Sequence, residues 1–422
     1  MSSDGTREFK EAWFLVSEIE GERAGSFRQE RWCRVFLRAG VRIRIFSIRG
    51  MSRLKEVVFE NESEFTAFRN EALKAARPVA SVREGGAVKL LRKIKHTCLM
   101  DFYLPNILGL IARTWKRMGA SAEPVIVMAS SPPFPLAFVG GFLKTRFPKK
   151  VMLFVDMRDA WAMHMALGGA KAVKRAIEQW TLRKADHIST VSLGLKEEFD
   201  TTYGTNSQVF YNVATHYFQL EGIPQIDWKM LHPDISRDTQ KLVYTGSTPE
   251  GFYNLEAIVG GVRRFQAEYP ELKGRLQLLF VGACQEVQAE VLRQQSHDGM
   301  IVCIPHVSHE TAKAIQFHAD ALVFLAFHGA GNKGVVSTKF FEYLAVGSPI
   351  LPFTLHVGSD VDRLLQRFCG ASLNLLDEEA IARTLAQVAQ DGPRCLPAMK
   401  NKEGLMDLFA EYQAFAGRLT GR

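Results

Sequence analysis

Lys339 and Glu342 stand directly after a segment rich in glycine and small polar residues, 328–337. A cation in the first turn of a helix opposes the helix dipole unless an anion is bound beside it. The unpaired amides of a helix N-terminus also favour an anion, so Lys339 at such a position predicts a phosphate site. Glu342, one turn further on, could accept hydrogen bonds from sugar hydroxyl groups. An ordinary crossover helix with a solvated lysine and glutamate is the alternative that the spacing leaves open.

The elements that must position these two residues are a strand, a loop and a helix, in that order. Residues 321–327 form an apolar run of the length of a buried strand. Ser337 or Thr338 can cap the helix, and Gly347 suits its left-handed C-terminal position. Residues 350–353 then read as the next strand. A glycine-rich loop between a strand and a helix is a suitable place for an anion.

The stretch STKFFEYLAVGSPIL, residues 337–351, closely resembles a segment of family 4-type glycosyltransferases. These enzymes use nucleotide sugars and have two Rossmann-like domains facing a central cleft, the GT-B fold. The resemblance implies that Ser337, Thr338 and Lys339 face the donor diphosphate and that Glu342 binds the ribose. Lys339 is also a candidate catalytic residue, because it would stabilise the charge that develops on the leaving diphosphate. Many members carry a second acidic residue eight positions before that glutamate, where this chain has Gly334. A group that would help to recognise the sugar is therefore missing.

Strands and helices alternate regularly from Lys241 onward, which predicts a parallel sheet wrapped by right-handed crossovers. In open α/β sheets, ligands lie outside the carboxyl ends of the strands. The predicted strand ends in this half of the chain point to four further donor-binding residues, namely Gly246, Ser247, Gly282 and His306. Many relatives have an arginine and a lysine in the loop after the first of these strands. This chain has Ser-Thr-Pro-Glu there, at residues 247–250.

The N-terminal half opens with a predicted β-α-β unit, made of a strand at 13–17, a helix at 25–39 and a strand at 41–48. Gly25 and Arg28 stand where the chain leaves the first strand, which is a ligand position in such sheets. The resemblance implies that Gly25 approaches the donor. Turn glycines and a surface arginine are the alternative.

A charged group ends a later predicted strand, residues 151–157. It consists of Asp156, Arg158 and Asp159. Charges at the end of a central strand are costly unless they pair or bind something, so this is a candidate catalytic site. The resemblance implies that Arg158 and Asp159, together with His164, orient the acceptor or the transferred sugar. A structural ion pair that braces the strand end is the alternative.

The length and the 47% hydrophobic content are sufficient for two domains with separate cores. The alternation of strands and helices predicts the α/β class, and the resemblance implies two doubly wound parallel-sheet domains. We assign residues 1–218 to an acceptor-side domain, 219–240 to a linker and 241–400 to a nucleotide-sugar-binding domain. Residues 401–422 are predicted to form a final helix that packs back on the first domain, as the resemblance implies.

The net charge of +8 is concentrated between Gly85 and Ala122. This segment holds seven cations and one acid, Asp101; the cations are Lys89, Arg92, Lys93, Lys95, Arg113, Lys116 and Arg117. Residues 88–98 have the pattern of a basic amphipathic helix, which suits either an anionic membrane surface or a solvated face. The polar N-terminus and the six cysteines, which are scattered singly along the sequence, favour a cytoplasmic protein. If the basic helix binds lipid, the protein would lie peripherally at the inner face of the membrane.

These observations predict a glycosyltransferase of the hexosyltransferase type that moves a sugar from a nucleotide-sugar donor to a glycan or lipid-linked acceptor, as in polysaccharide or glycoconjugate biosynthesis. The resemblance implies a retaining reaction. We expect no metal, no other cofactor and no nucleic-acid partner. Two alternatives stay open, a sugar-nucleotide epimerase or hydrolase on the same fold and a non-catalytic glycosyltransferase-like subunit. A nicotinamide oxidoreductase is disfavoured, because the GxGxxG order is missing from both opening loops.

Overall fold

A computed structural model describes residues 9–17, 24–48, 55–75, 104–162, 171–214, 222–249, 251–282, 285–294, 299–327 and 334–421. The described strands are β1 (Glu11–Val16), β2 (Arg42–Ser47), β3 (Lys55–Phe59), β4 (Val125–Ser131), β5 (Val151–Met157), β6 (His187–Thr190), β7 (Gln208–Val209), β8 (Gln240–Thr245), β9 (Leu276–Val281), β10 (Ile301–Ile304), β11 (Ala321–Leu325) and β12 (Ile350–Phe353). The described helices are α1 (Ala24–Arg38), α2 (Glu62–Ala75), α3 (Leu104–Ala120), α4 (Phe134–Arg146), α5 (Lys171–Leu182), α6 (Leu193–Tyr203), α7 (Trp228–Leu231), α8 (Leu255–Glu268), α9 (Gln285–Arg293), α10 (His309–His318), α11 (Thr338–Val346), α12 (Asp360–Cys369), α13 (Glu378–Asp391) and α14 (Lys402–Thr420).

The chain divides into two compact units. Unit 1 comprises Met1–Tyr211 together with Ala410–Arg422, and unit 2 comprises Asn212–Phe409. Within unit 1, Tyr412 of α14 packs its ring against Trp32 at 4.5 Å and donates a hydrogen bond to the carbonyl of Tyr211 at 2.8 Å. Unit 1 is therefore built from both ends of the sequence.

In the described part of unit 1, seven strands form a sheet in the order β3-β2-β1-β4-β5-β6-β7. Every neighbouring pair is parallel except β2 and β3, which are antiparallel. The apolar strands are buried along nearly their whole length, as expected when helices cover both faces of a sheet. Strand order reverses between β1 and β4, which places the ligand-binding position of such folds at the carboxyl ends of these strands.

Unit 2 has a five-stranded, fully parallel sheet in the order β10-β9-β8-β11-β12. Its strand order reverses between β8 and β11. The core lies where α8 and α13 pack on the sheet, around buried residues such as Ile258 and Leu385. Residues of the segment assigned to the linker contact this sheet. The amide of Ser236 donates a hydrogen bond to Oε1 of Gln277 in β9, and Nε2 of Gln277 donates to the carbonyl of Asp234.

Most elements lie within a few residues of their predicted bounds, and strands β5 and β12 coincide with the predicted ranges 151–157 and 350–353. Strand β3 was not predicted. It is a short edge strand, KEVVF, whose lysine and glutamate hide the apolar pattern. Cys33, Cys369 and Cys395 are free thiols. Among the helices in the described ranges, none is long and apolar enough to span a membrane.

Candidate functional site

Helix α11 begins and ends as the sequence predicts. Ser337 is its N-cap, with an extended backbone and a side-chain oxygen that accepts a hydrogen bond from the amide of Lys339 at 3.4 Å. Gly347 ends the helix with a left-handed φ of 87°. Thr338, the first helical residue, is half-buried beside the cap. In the described part of the chain, α11 is the next element after β11, the strand that neighbours β8 at the strand-order reversal.

Lys339 lies over the end of the central strand β8. The next residue after that strand, Gly246, has a φ of 141°, which strains any residue with a side chain. A Cβ atom added to Gly246 would lie 2.6 Å from Nζ of Lys339 and would also clash with its Cε. An alanine at this position would strain the backbone and displace the ammonium group of Lys339, which lies against the backbone at the carboxyl end of β8.

Gly282 allows the backbone to pack closely at the same edge of the sheet. It follows β9, has a φ of 130°, and its own Cβ would lie 2.5 Å from the carbonyl oxygen of Gly246. Two neighbouring strands are therefore each followed by a glycine, and the backbones of the two glycines are in contact. Together with Lys339, they form a surface of backbone and one cation, which we call the glycine platform (Gly246, Gly282 and Lys339). Backbone that a ligand can approach closely is a common feature of phosphate-binding sites.

Glu342 is half-buried one turn after Lys339. Its Oε2 lies 3.5 Å from Nε2 of Gln316, and Gln316 also donates a 2.7 Å hydrogen bond to Oγ1 of Thr245. Among the described residues, no cation forms an ion pair with Glu342. The carboxylate thus faces a neutral donor beside the last residue of β8.

Tyr343 fastens the helix to the same strand. Its hydroxyl accepts a hydrogen bond from the amide of Thr245 at 3.1 Å, and its side chain is fully buried. Burial raises the pKa of the Tyr343 phenol, partly offset by its hydrogen bonds to Thr245. The helix that carries Lys339 and Glu342 is thereby fixed to the strand end that they flank.

The remaining predicted donor residues of unit 2 lie around this platform. Ser247 follows Gly246 and is exposed, and its carbonyl accepts a 2.8 Å hydrogen bond from the hydroxyl of Tyr244. His306 is exposed after β10, the edge strand two positions away from β8. The structure brings Lys339, Gly246 and Gly282 into one cluster. Ligand binding by each of these residues stays a prediction.

In unit 1, Asp156 has a partner that the sequence did not reveal. Arg28 donates to Asp156 through Nε at 2.9 Å and Nη2 at 2.6 Å, and both side chains are almost completely buried. Ser130 and Ser189 also donate to the carboxylate, at 3.2 and 2.5 Å. Burial would raise the pKa of Asp156, but Arg28 outweighs it and the pKa falls below its usual value. The interpretation of Arg28 as a surface residue is wrong, and the ion-pair alternative holds for Asp156.

Arg28 lies one turn into α1, and Gly25 is in the first turn of the same helix. The guanidinium of Arg28 also donates to the carbonyl of Phe210 at 2.6 Å and to the hydroxyl of Tyr412 at 2.7 Å. Burial disfavours the charged guanidinium, yet Asp156 and Tyr412 keep the pKa of Arg28 above its usual value. Arg28 is thus a structural cation.

Arg158 and Asp159 begin the loop after β5. The amide of Arg158 donates to the carbonyl of Ser131 at 2.7 Å, and its guanidinium donates to the carbonyl of Pro132. Burial lowers the pKa of Arg158, only partly offset by Asp156 and Asp159. Its Nε is buried without a hydrogen-bond partner among the described residues. Asp159 is half-buried, and His164 lies outside the described residues. The catalytic roles of Arg158, Asp159 and Lys339 stay predictions.

Glu178 of α5 holds this loop in place. Its carboxylate accepts hydrogen bonds from the amides of Trp161 and Ala162, at 2.9 and 3.3 Å, and from the hydroxyl of Tyr203 at 2.5 Å. Trp161 in turn stacks on Phe134, the first residue of α4, with the ring centroids 5.4 Å apart. Burial raises the pKa of Glu178, opposed by these three donors. Sequence reasoning missed Glu178, because it lies in a helical pattern typical of an exposed acid.

Solved protein structures match the fold of this chain, whereas family models and curated sequences do not match the chain. No protein-family model matches the chain, and no curated protein matches its sequence. Solved structures do match it over nearly its whole length: an E. coli trehalose-6-phosphate structure bound with UDP-2-fluoro glucose has a TM-score of 0.61 at 10% identity, covering 98% of this chain and 99% of that one. OtsA in its apo form gives 0.59 at 10% identity, and the lipopolysaccharide outer core galactosyltransferase WaaB gives 0.56 at 14%, each covering 97% of this chain and 99% of its own.

The chain has the GT-B fold. The predicted α/β class with two doubly wound Rossmann-like domains is thereby confirmed. Identities of 10 to 14% establish the fold alone, so membership of family 4 stays a prediction. In this GT-B chain, the glycine platform stands at the strand-order reversal of unit 2, and the Arg158 loop stands at carboxyl strand ends of unit 1.

Proposed function

We propose that this GT-B chain is a glycosyltransferase of the hexosyltransferase type, which moves a sugar from a nucleotide-sugar donor to a glycan or lipid-linked acceptor. The observation that carries the proposal is the position of Lys339. Its ammonium group rests against Gly246 at the carboxyl end of β8, in the first turn of α11, and no carboxylate within the described ranges pairs with it. A cation placed at a helix start, where the dipole opposes it, is explained by a bound anion.

The proposed chemistry follows from charge. Negative charge grows on the leaving diphosphate as the bond to the sugar breaks. Lys339 and the amides at the start of α11 are fixed before the reaction, so they stabilise that growing charge more than the ground state. Glu342 would accept hydrogen bonds from the ribose, which does not change during the reaction. The proposal includes retention of the anomeric configuration and needs no metal or other cofactor, because the leaving phosphate can take the acceptor proton.

A non-catalytic subunit of the same fold is favoured by one observation. The loop after β8 offers Ser247, Thr248 and Pro249 where a diphosphate site would gain from a second cation. Thr248 is buried and donates to Glu286 at 3.3 Å, so this loop is organised around a carboxylate. Such a subunit would bind a nucleotide without turning over its sugar.

We further propose that unit 1 meets a lipid-linked acceptor at the inner face of the cytoplasmic membrane, in polysaccharide or glycoconjugate biosynthesis. Helix α3 exposes Leu108 and Trp115 together with cations such as Lys116. Apolar and cationic groups side by side suit an anionic lipid surface. The more basic segment that the sequence indicates, residues 88–98, lies outside the described residues.

The test of the proposed function is donor binding and turnover by matched variants. ADP, GDP and UDP are titrated calorimetrically against the parent protein, Lys339→Met and Glu342→Gln. Lys402→Met is the control, because Lys402 also occupies the first turn of a helix, α14, but has no glycine platform beside it. We expect Lys339→Met to lower both affinity and turnover. Glu342→Gln should mainly weaken binding, by about 1–3 kcal/mol for lost charge-assisted hydrogen bonds.

A thermal-shift screen gives an independent reading, since a ligand at a hundred times its Kd adds about 2.7 kcal/mol to the free energy of unfolding. Release of nucleoside diphosphate from UDP-, GDP- or ADP-sugars then separates the enzyme from the subunit. Tight nucleotide binding without any release would favour the non-catalytic subunit. Equal nucleotide binding by the parent protein, Lys339→Met and Glu342→Gln would refute the proposed site.

A further inference from the structure

Gln316 is a buried amide that its surroundings do not fully satisfy. It lies near the end of α10, and its side chain is 1% exposed. Nε2 donates to Thr245 Oγ1 at 2.7 Å and faces Glu342 Oε2 at 3.5 Å, while Oε1 has no hydrogen-bond partner in the described part of the chain. A buried carbonyl oxygen without a donor is costly and calls for an explanation.

Exchanging the positions of Oε1 and Nε2 by rotating the Gln316 amide would not remove the cost of the unsatisfied polar atom. A carboxylate can only accept hydrogen bonds, so the amide must present its NH₂ group to Glu342. The arrangement therefore gives up a hydrogen bond at Oε1 in order to place a donor beside Glu342. A leucine or methionine of similar volume would fill the space without burying a polar group, so stability alone does not favour glutamine here.

The neutral donor has a specific effect on Glu342. An arginine or lysine would neutralise the carboxylate and occupy both of its oxygens. The amide of Gln316 approaches only Oε2, at a distance that is long for a hydrogen bond, and leaves the full negative charge in place. A carboxylate that is oriented but not neutralised is suited to accept hydrogen bonds from two neighbouring hydroxyl groups of a ligand.

We infer that Gln316 is a positioning residue for Glu342 and that this pair makes the site discriminate ribonucleoside diphosphates from diphosphates whose ribose lacks its hydroxyl groups. The inference rests on the proposed function, because it assumes that a nucleoside diphosphate binds at the glycine platform. Gln316 donates a hydrogen bond to Thr245, the last residue of β8. It therefore links Glu342 to the strand end that is followed by Gly246. The diphosphate is held by Lys339, and the ribose is read by Glu342 in the orientation that Gln316 sets.

The experiment compares ligands with and without the two ribose hydroxyls. ADP, GDP and UDP and their 2′,3′-dideoxy forms are titrated against the full-length parent protein, Gln316→Leu, Glu342→Gln and the double variant. Gln240→Leu is the matched control. Gln240 also carries a buried Oε1 without a partner among the described residues, but it lies at the opposite end of β8. The melting temperature of each unliganded variant is measured in parallel.

We expect Gln316→Leu to weaken ribonucleoside diphosphate binding by about tenfold, the size of a lost positioning contact, and to leave the dideoxy ligands unchanged. The double variant should bind no more weakly than Glu342→Gln, because Gln316 acts through Glu342. The melting temperature should stay the same or rise in Gln316→Leu and in Gln240→Leu. Gln240→Leu should bind every ligand like the parent protein.

Three results would overturn the inference and leave the proposed function intact. Unchanged ribonucleotide affinity in Gln316→Leu would show that the contact has no role in binding. Equal losses for ribose and dideoxy ligands would show that Gln316 serves the phosphate or the fold instead. A lower melting temperature in Gln316→Leu than in both the parent protein and Gln240→Leu would show that the amide is kept for stability. If the parent protein binds no nucleoside diphosphate at all, the proposed function fails and this inference falls with it.

Discussion

The guanidinium of Arg28 and the carboxylate of Asp156, 128 positions apart in the sequence, form a two-pronged ion pair in the interior of unit 1. Ser130, Ser189, Tyr412 and the carbonyl of Phe210 complete their hydrogen bonds. A buried ion pair with every polar group satisfied braces the sheet at the carboxyl end of β5. Asp156 is occupied by this pair, so in this region the residues that could contact a ligand are those of the following loop, with Arg158 and Asp159.

Removing one partner of this pair should destabilise unit 1 strongly. Arg28→Met leaves the charge of Asp156 buried without its cation, and we expect a loss of about 3–5 kcal/mol in the free energy of unfolding. Urea denaturation measures the change. Arg264→Ala, which breaks the exposed pair with Glu268, is the control and should leave the denaturation curve unchanged. A similar, negligible effect of both substitutions would contradict the structural role of the pair.

Asp156 and Glu178 should make opposite contributions to the pH dependence of stability. The pKa of Asp156 is lowered in the folded protein, so its contribution is present above its unfolded pKa of about 3.9 and is lost as the pH falls. The pKa of Glu178 is raised, so its contribution is present below about 4.3 and is lost as the pH rises through the folded pKa.

Melting temperatures between pH 3.5 and 7, a range that spans roughly both unfolded pKa values, test these signs. The stability difference between the parent protein and Asp156→Asn should widen as the pH rises. The difference between the parent protein and Glu178→Gln should narrow. Parallel pH profiles for the parent protein and Glu178→Gln would show that Glu178 has an ordinary pKa in the folded state.

A side chain at Gly246 should disturb the site by displacing Lys339. Gly246→Ala combines an unfavourable φ with a clash against the lysine, and we expect a loss of about 1–3 kcal/mol in stability with weaker nucleoside diphosphate binding. Gly274→Ala isolates the backbone effect, because Gly274 also has a positive φ but open space around it. Calorimetric titration of UDP, ADP and GDP should show a binding defect for Gly246→Ala alone. Parent-like affinity in that variant would mean that the packing of Lys339 on Gly246 has no part in binding.

Asp159 should serve the acceptor side of the reaction. Asp159→Asn removes the charge and keeps the shape, so we expect slower release of nucleoside diphosphate from the donor with little change in nucleotide affinity. Asp407→Asn, on the exposed face of α14, is the control. If turnover, nucleotide affinity and melting temperature all fell together in Asp159→Asn, Asp159 would have to be regarded as structural.

Helix α3 should contribute to binding of anionic vesicles. We expect the parent protein to sediment with phosphatidylserine vesicles at low salt and to be released as the salt rises. Arg113→Glu with Lys116→Glu should reduce this binding. Lys273→Glu with Arg275→Glu makes the same change in net charge at an exposed turn of unit 2 and should have a much smaller effect. Equal sedimentation of the two double variants would assign the attraction to net charge rather than to α3.

The features that local sequence predicts well are those set by neighbouring residues. The cap at Ser337, the helix end at Gly347 and the strand at 151–157 follow from residue types within a few positions of each other. The pairing of Arg28 with Asp156 depends on two elements meeting in space, and no periodicity encodes it. The same holds for Glu178 at the amides of Trp161 and Ala162, and for Gln316 beside Glu342.

The placement of Ala410–Arg422 in unit 1 also affects how the chain is made. A ribosome delivers the protein from its N-terminus, so the sheet of unit 1 emerges early, while Tyr412 and Phe415 are synthesised only after Asn212–Phe409 of unit 2. Until they arrive, Trp32 and Phe210 lack the aromatic rings that cover them in the finished protein. Exposed apolar surface of this kind makes a nascent chain prone to aggregation. The part of unit 1 that is translated first is therefore completed only after unit 2 has been synthesised.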